Sequence, residues 1–335
     1  MRTGFFMSMA AAAMILAGCS NDENEAIDNS PVELRLTSGV TVQQTRATFT
    51  PTQSTSINKD EVVSVWVNQT DDVELYKANQ LTANSDNSFT GDAMYFPQNG
   101  FSQVNIYAIH GNFTTPFSEG TAFPTTGVEY YVEADQSEAG GAGYTHSDLL
   151  YAYETKVERK GNPTTKELTF YHMLSKLEVA IQIGEGSPKL ASSDAVTLGG
   201  VKLNGKFTPP TEATMSDLSA RADMLADADE PNTSNMTLGQ KTCTGFDENN
   251  VFYNEAIIVP QEMKDKVLTF KLEEKGELKY KILAFPGTGQ AVFESGKKYI
   301  YHITLNLTGL KVTSQIKDWE PVKAIEGTAE MEPEP

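Results

Sequence analysis

Apolar and polar positions alternate along this chain in short bursts. The longest burst is 168–183, LTFYHMLSKLEVAIQI. In its second half Leu177, Val179, Ile181 and Ile183 point one way and Lys176, Glu178, Ala180 and Gln182 the other, the period of a half-buried strand. The first half, with Leu168, Phe170, Tyr171 and Met173, slips out of phase near Ser175, which predicts a bulge there. Upstream, Val32, Glu33, Leu34, Arg35 and Leu36 alternate, and Val40 and Val42 resume the pattern after Ser38-Gly39. This predicts a first strand. The run 61–67 is strongly β-forming and carries Trp66; 104–109 and 148–152 follow the same logic.

Between these bursts, 111–147 is rich in Gly, Thr and Pro and reads as loops, as does the turn Gly161-Asn162-Pro163. Residues 184–194 lack periodicity and hold Gly, Ser and Pro, so they predict a linker. Beyond it, strand character returns at 196–207, 256–259, a hairpin 267–272 with 278–285, 299–307, and 316–319. Residues 208–244 read as a polar excursion, and 320–335 as a tail rich in Glu and Pro. No sustained helical period appears after the first residues. The pattern predicts an all-β chain of two antiparallel β-sandwiches, 31–184 and 185–335.

The first 18 residues differ from the rest. Arg2 precedes an apolar run, too short to span a bilayer comfortably, that ends in Leu16-Ala17-Gly18-Cys19. The ending resembles the bacterial lipobox, in which small residues admit the peptidase and the cysteine thiol takes the diacylglyceryl group. The expectation is a signal peptide over 1–18 and lipidation, palmitate included, at Cys19, which gives outer-membrane anchoring without a spanning helix. Residues 19–30 form an acidic tether.

Charge and cysteines narrow the function. A net charge of −19 over 335 residues disfavours nucleic acid and anionic lipid surfaces. Two cysteines, Cys19 and Cys243, build neither a disulfide framework nor a zinc site. His110, His146, His172 and His302 fall in no metal or nucleophile motif, and His172 and His302 read as structural strand residues. Ser295-Gly296-Lys297-Lys298 lacks the glycine and the hydroxyl of a phosphate loop. Asp227, Asp229 and Glu230 lack the rest of a calcium loop. Neighbouring acids such as Asp71-Asp72 and Glu273-Glu274 face apart in extended chain. Trp66 and Tyr130-Tyr131 are able to stack on sugars, but aromatics in β-sandwiches more often fill the core. No enzyme and no cofactor are expected.

These features in their order resemble the Bacteroidales fimbrillin family, subunits of type V pili. The resemblance rests on the lipobox at Cys19, Thr45-Arg46-Ala47 after the first strand, 148–152 (DLLYA), 170–177 (FYHMLSKL), 256–260 (AIIVP), and 296–299 (GKKY) through 316–319 (IKDW). It implies two tandem transthyretin-like β-sandwiches and export as a surface lipoprotein. It further implies a cut by an arginine-specific surface protease between Arg46 and Ala47. That cut would remove a strand carrying Val32, Leu34, Leu36, Val40 and Val42. An edge strand so removed uncovers hydrogen bonds and apolar pockets, which a strand from another fimbrial subunit refills. The tail after Trp319 departs from this picture, because it offers few alternating apolar residues beyond Val322, Ala324 and Ile325. Stalk, tip, accessory and uncleaved anchor roles therefore stay open, as does a monomeric surface adhesin for glycan or host protein.

Overall fold

The computed structural model describes residues 30–38, 42–43, 53–54, 57–98, 102–137, 143–184, 186–187, 189–192, 195–209, 233–241, 251–273, 276–284, 289, 291–306 and 309–318. They are largely strand; one short helix, α1 (Gly143–His146), lies among them.

Two sheets build the first unit. One has the order β12 (Tyr171–His172), β10 (Leu150–Glu158), β8 (Gln103–His110), β4 (Val62–Gln69), β5 (Glu74–Ala83), β6 (Phe89–Gly91). The other has the order β11 (Thr164–Leu168), β1 (Glu33–Ser38), β7 (Met94–Tyr95). Alternation decides what fills the space between them. Val63, Val65 and Val67 of β4 and Val104, Ile106 and Ala108 of β8 share a core with Leu34, Leu36, Met94 and Leu168 from the smaller sheet.

The larger sheet is covered on its other face as well. Trp66 is fully buried, donates its indole N–H to the Thr121 carbonyl at 2.8 Å, and stands edge-on to Phe117 and Phe123. Residues expected as open loop thus form a packed lid over an aromatic face. Trp66 and Tyr130 are core residues rather than a sugar platform.

The second unit pairs a sheet of order β17 (Gly239–Lys241), β18 (Val251–Ile258), β13 (Ser175–Ile183), β23 (Lys297–Asn306), β24 (Gly309–Asp318) with one of order β16 (Ser234–Thr237), β14 (Val196–Val201), β20 (Val267–Leu272), β21 (Gly276–Lys281). Leu177, Val179 and Ile181 meet Val196, Leu198, Leu268 and Phe270 in its core. Three short pairs complete the strands: β2 (Val42–Gln43) with β3 (Gln53–Ser54), β9 (Val128–Tyr131) with β15 (Asn204–Phe207), and β19 (Gln261–Glu262) with β22 (Val292–Phe293).

Several expectations change here. The slip near Ser175 is a crossing between units, not a bulge within one strand. β12 pairs with β10, whereas β13 pairs with β18 and β23, and the chain passes over at Met173 and Leu174. All of β13 therefore lies in the second unit's sheet, although the linker at 184 had placed it in the first. The sheets are also not purely antiparallel: β1 runs parallel to β11, and β13 parallel to β23. Such neighbours need long crossovers, which alternation within a strand cannot reveal. Lastly, β24 pairs with β23 from Asn306↔Gly309 to Lys297↔Asp318, so strand begins well before the expected start at 316.

The units are stitched together. β9 pairs with β15 across them, and buried Gln136 reaches β18. Its Oε1 accepts from the Ile257 N–H at 2.7 Å while its Nε2 donates to the Ile257 carbonyl at 2.8 Å, so one side-chain amide replaces a strand neighbour.

Candidate functional site: the seat of strand β1

Strand β1 was expected at an edge. It lies instead in the middle of its sheet. On one side it runs parallel to β11, from Leu34↔Thr164 to Ser38↔Leu168. On the other it meets β7 through Glu33↔Tyr95 and Leu34↔Met94, and the Phe96 N–H donates to the Val32 carbonyl at 3.0 Å. At its end the Ser38 N–H donates to the Asn87 carbonyl at 2.8 Å. At its start Asn162 donates to the Pro31 carbonyl at 3.1 Å.

The side chains follow the period of two. Val32, Leu34 and Leu36 are 2–4% exposed and enter the core of the first unit. Burial of three aliphatic side chains stabilises by roughly 5–9 kcal/mol together, as much as the net stability of many whole domains. The polar face of the strand carries Arg35, more than half exposed and paired with Glu33 at 2.8 Å. The backbone of Arg35 is held opposite Thr165, so this arginine sits inside a paired strand and is a poor protease site.

The other expected site residues divide. Cys19, Val40, Arg46 and Ala47 lie outside the described residues, as do Cys243 and Trp319. Val42 is described through its backbone alone, in β2. That strand pairs antiparallel with β3 through Val42↔Ser54 and Gln43↔Gln53, which brings together the two ends of the segment holding Arg46 and Ala47.

In the second unit, β24 is the last strand of its sheet among the described residues, with β23 as its neighbour there. Its Ile316 is 43% exposed. Sequence reading missed most of this strand, because an edge strand carries exposed polar residues such as Ser314, which interrupt the apolar alternation.

A second set of residues that sequence reading missed lies between the units. Lys176 and Glu178, expected on a wet face, are buried with Glu255. The Lys176 ammonium lies 2.7 Å from Glu255 and 3.3 Å from Glu178, and Lys298 reaches Glu178 at 3.5 Å. Tyr144 of α1 covers the Lys176 ammonium with its ring. Burial alone would lower the Lys176 pKa, but the charges of Glu255 and Glu178 outweigh it and hold the ammonium charged. The signal available was weak: a Lys and a Glu two apart, on a strand whose other face is apolar from Leu177 to Ile183.

Nearby, buried His172 contacts Asp148 at 2.9 Å and buried His110 contacts Glu61 at 3.3 Å. Burial disfavours the charged imidazolium of His110, yet the hydrogen bond and charge of Glu61, with the Val62 carbonyl, raise its pKa above the ordinary value. Both histidines are structural, as the strand reading of His172 had it. His302, in contrast, is exposed on β23.

A protein-family model described as fimbrillin-like matches residues 45–319. Among solved structures, a proposed cell adhesion protein from Bacteroides uniformis is similar, with 19% identity and a TM-score of 0.57, over 87% of this chain and 99% of that one. A second, from Bacteroides ovatus, shows 17% identity and a TM-score of 0.57, over 87% and 98% of the two chains. At these identities the likeness is one of fold. No curated protein matches the chain.

Proposed function

We propose, from the premise that this chain belongs to the fimbrillin-like family, that it is a structural subunit of a surface fimbria and contributes to cell adhesion. It is a building protein, not an enzyme. In this reading it is exported as a lipoprotein on Cys19 and cut between Arg46 and Ala47. It then assembles with other subunits by exchange of β1 for a strand from a neighbour.

The observation that carries the reading is the central position of β1. A strand hydrogen-bonded on both sides, with its Leu34 and Leu36 and the preceding Val32 buried, leaves on departure a slot with two free edges and an apolar floor. The cut would fall between β2 and β3, after all of β1 and before all of the other strands of its core.

The neighbour's strand is best sought in β24. Leu310, Val312, Ser314 and Ile316 repeat at every second position, as Val32, Leu34, Leu36 and Ser38 do in β1. This relieves the difficulty posed by the acidic tail, because the donor need not come from 320–335. A strand with one neighbour also gives up fewer hydrogen bonds when it leaves than a strand with two.

The test is the N-terminus and intact mass of the protein recovered from the cell surface, with a denaturing gel run unheated. A chain beginning at Ala47 in a ladder of heat-sensitive multimers is expected. A chain that keeps acylated Cys19 and is always monomeric would overturn strand exchange and favour the anchor or adhesin role.

A further inference from the structure

We infer that a chain cut between β2 and β3 keeps its own β1 as a bound peptide. We further infer that the C-terminal strand of a second copy displaces this peptide from its Pro31 end, after lodging in an apolar cleft beside that residue. The inference rests on the strand-exchange reading above and adds the order of events and the point of entry.

Retention follows from where the cut falls. The strand pairings and backbone hydrogen bonds that hold β1 are made to β11, β7, Phe96, Asn87 and Asn162, and its apolar side chains pack on β4 and β8, all on the far side of the cut. The pairing of β2 with β3 also survives a cut in the segment joining them. The covalent link is lost while the non-covalent contacts remain. Proteolysis therefore converts β1 from a tethered strand into a ligand without emptying the slot.

A ligand held this way is removed faster by a competitor that begins to pair before it has left. The two ends of β1 offer such a competitor different access. At the Ser38 end the strand runs into the β5–β6 hairpin: Ser38 bonds to Asn87, and Thr37 bridges Ser88. At the Pro31 end the hydrogen bonds to Asn162 are exposed, and the Glu33 N–H to its Oδ1 is long at 3.4 Å. Beside this end lies a cleft of about 460 Å³, with Pro31 as one wall and Leu75, Tyr76, Tyr95, Phe96 and Pro97 around it. The Tyr76 hydroxyl accepts from the Tyr95 N–H at 2.7 Å, which fixes the aromatic wall. Tyr95 is 42% exposed.

The cleft is continuous with the seat. Tyr95 pairs with Glu33, and Phe96 bonds to Val32. An extended chain that buries an apolar side chain here has its backbone next to β7, ready to take over hydrogen bonds as β1 yields them. Continuity commits the occupant to the strand that will fill the seat, the segment 309–318 of another copy.

The experiment uses the full chain, cut at Arg46, or at a protease site introduced within 47–52 should Arg46 resist. Gel filtration with mass spectrometry reads whether the N-terminal fragment travels with the body. A labelled peptide of residues 309–318 is then added, and loss of the fragment is timed. The fragment is expected to stay until the peptide is added, and to leave at a rate that rises with peptide concentration. Leu75→Glu should slow displacement about tenfold, the worth of one buried aliphatic side chain, while the retained fragment shows that the fold is intact. Val73→Glu, at an exposed position outside the cleft lining, should leave the rate unchanged.

Departure of the fragment at a rate independent of the peptide overturns retention. Equal rates in Leu75→Glu and the parent overturn the cleft as the point of entry. Retention of the fragment at every concentration of peptide overturns strand exchange itself.

Discussion

The strands β1 and β24 occupy opposite situations. Among the described residues, β1 has six residues, two neighbours and two buried leucines, with buried Val32 just before it; β24 has ten residues, one neighbour in its sheet and an exposed Ile316. Length therefore does not measure importance to the fold. The shorter strand completes a core, and the longer one decorates an edge. A chain built to exchange strands needs both kinds: one whose absence is intolerable and one whose departure is tolerable.

The largest test of this contrast places the same change in each strand. Leu36→Asp puts an unpaired carboxylate into the core of the first unit and is expected to cost more than about 5 kcal/mol, enough to unfold that unit. Ile316→Asp should stay within about 0.5 kcal/mol, as surface changes do. Urea unfolding followed by tryptophan fluorescence reads the first unit through buried Trp66. Similar losses at both positions would break the comparison.

The next tests ask whether the two units respond together. Lys176→Ala removes the ammonium that lies between buried Glu178 and Glu255, and should cost about 3–5 kcal/mol. Because Tyr144 lies over Lys176, limited proteolysis should show α1 loosened as well. Gln136→Ala leaves the N–H and carbonyl of Ile257 without the amide that pairs them, for a loss of about 1–3 kcal/mol in calorimetry.

The smallest effect is one of pH. The folded-state pKa of His110 is raised, so its contribution to stability is fully present below the unfolded value and is lost as pH rises through the folded value. Between about pH 5.5 and about pH 8, His110→Gln should flatten the fall in urea midpoint seen in the parent. An unchanged slope would remove His110 from the account.

How much of this was legible in the sequence differs between the same regions. Leu34 and Leu36 announced themselves, since strict alternation needs no partner to be read, and the stretch of sequence that forms β1 was expected to be strand. Its neighbours were not: a parallel partner at 164–168, more than a hundred residues on, leaves no local trace. The hairpin of β20 and β21 was legible because both arms and the turn are contiguous. Lys176 and Glu178 misled because a polar face on a strand ordinarily means water. Lys176 is covered by Tyr144, from a stretch that composition marked as loop. The site at Arg46 was legible only through the family resemblance, since nothing physical separates that arginine from any other in an extended polar run.

Amide hydrogen exchange on β11 tests the central claim most directly. Among the described residues, β1 is the strand neighbour of β11 within its sheet, so the amides of 164–168 report whether the seat is filled. They should exchange slowly in the full chain, fast in a cut chain stripped of its N-terminal fragment, and slowly again in multimers that lack the fragment. Multimers whose β11 amides exchange as fast as those of the stripped chain would show the seat standing open, and would contradict assembly by strand exchange.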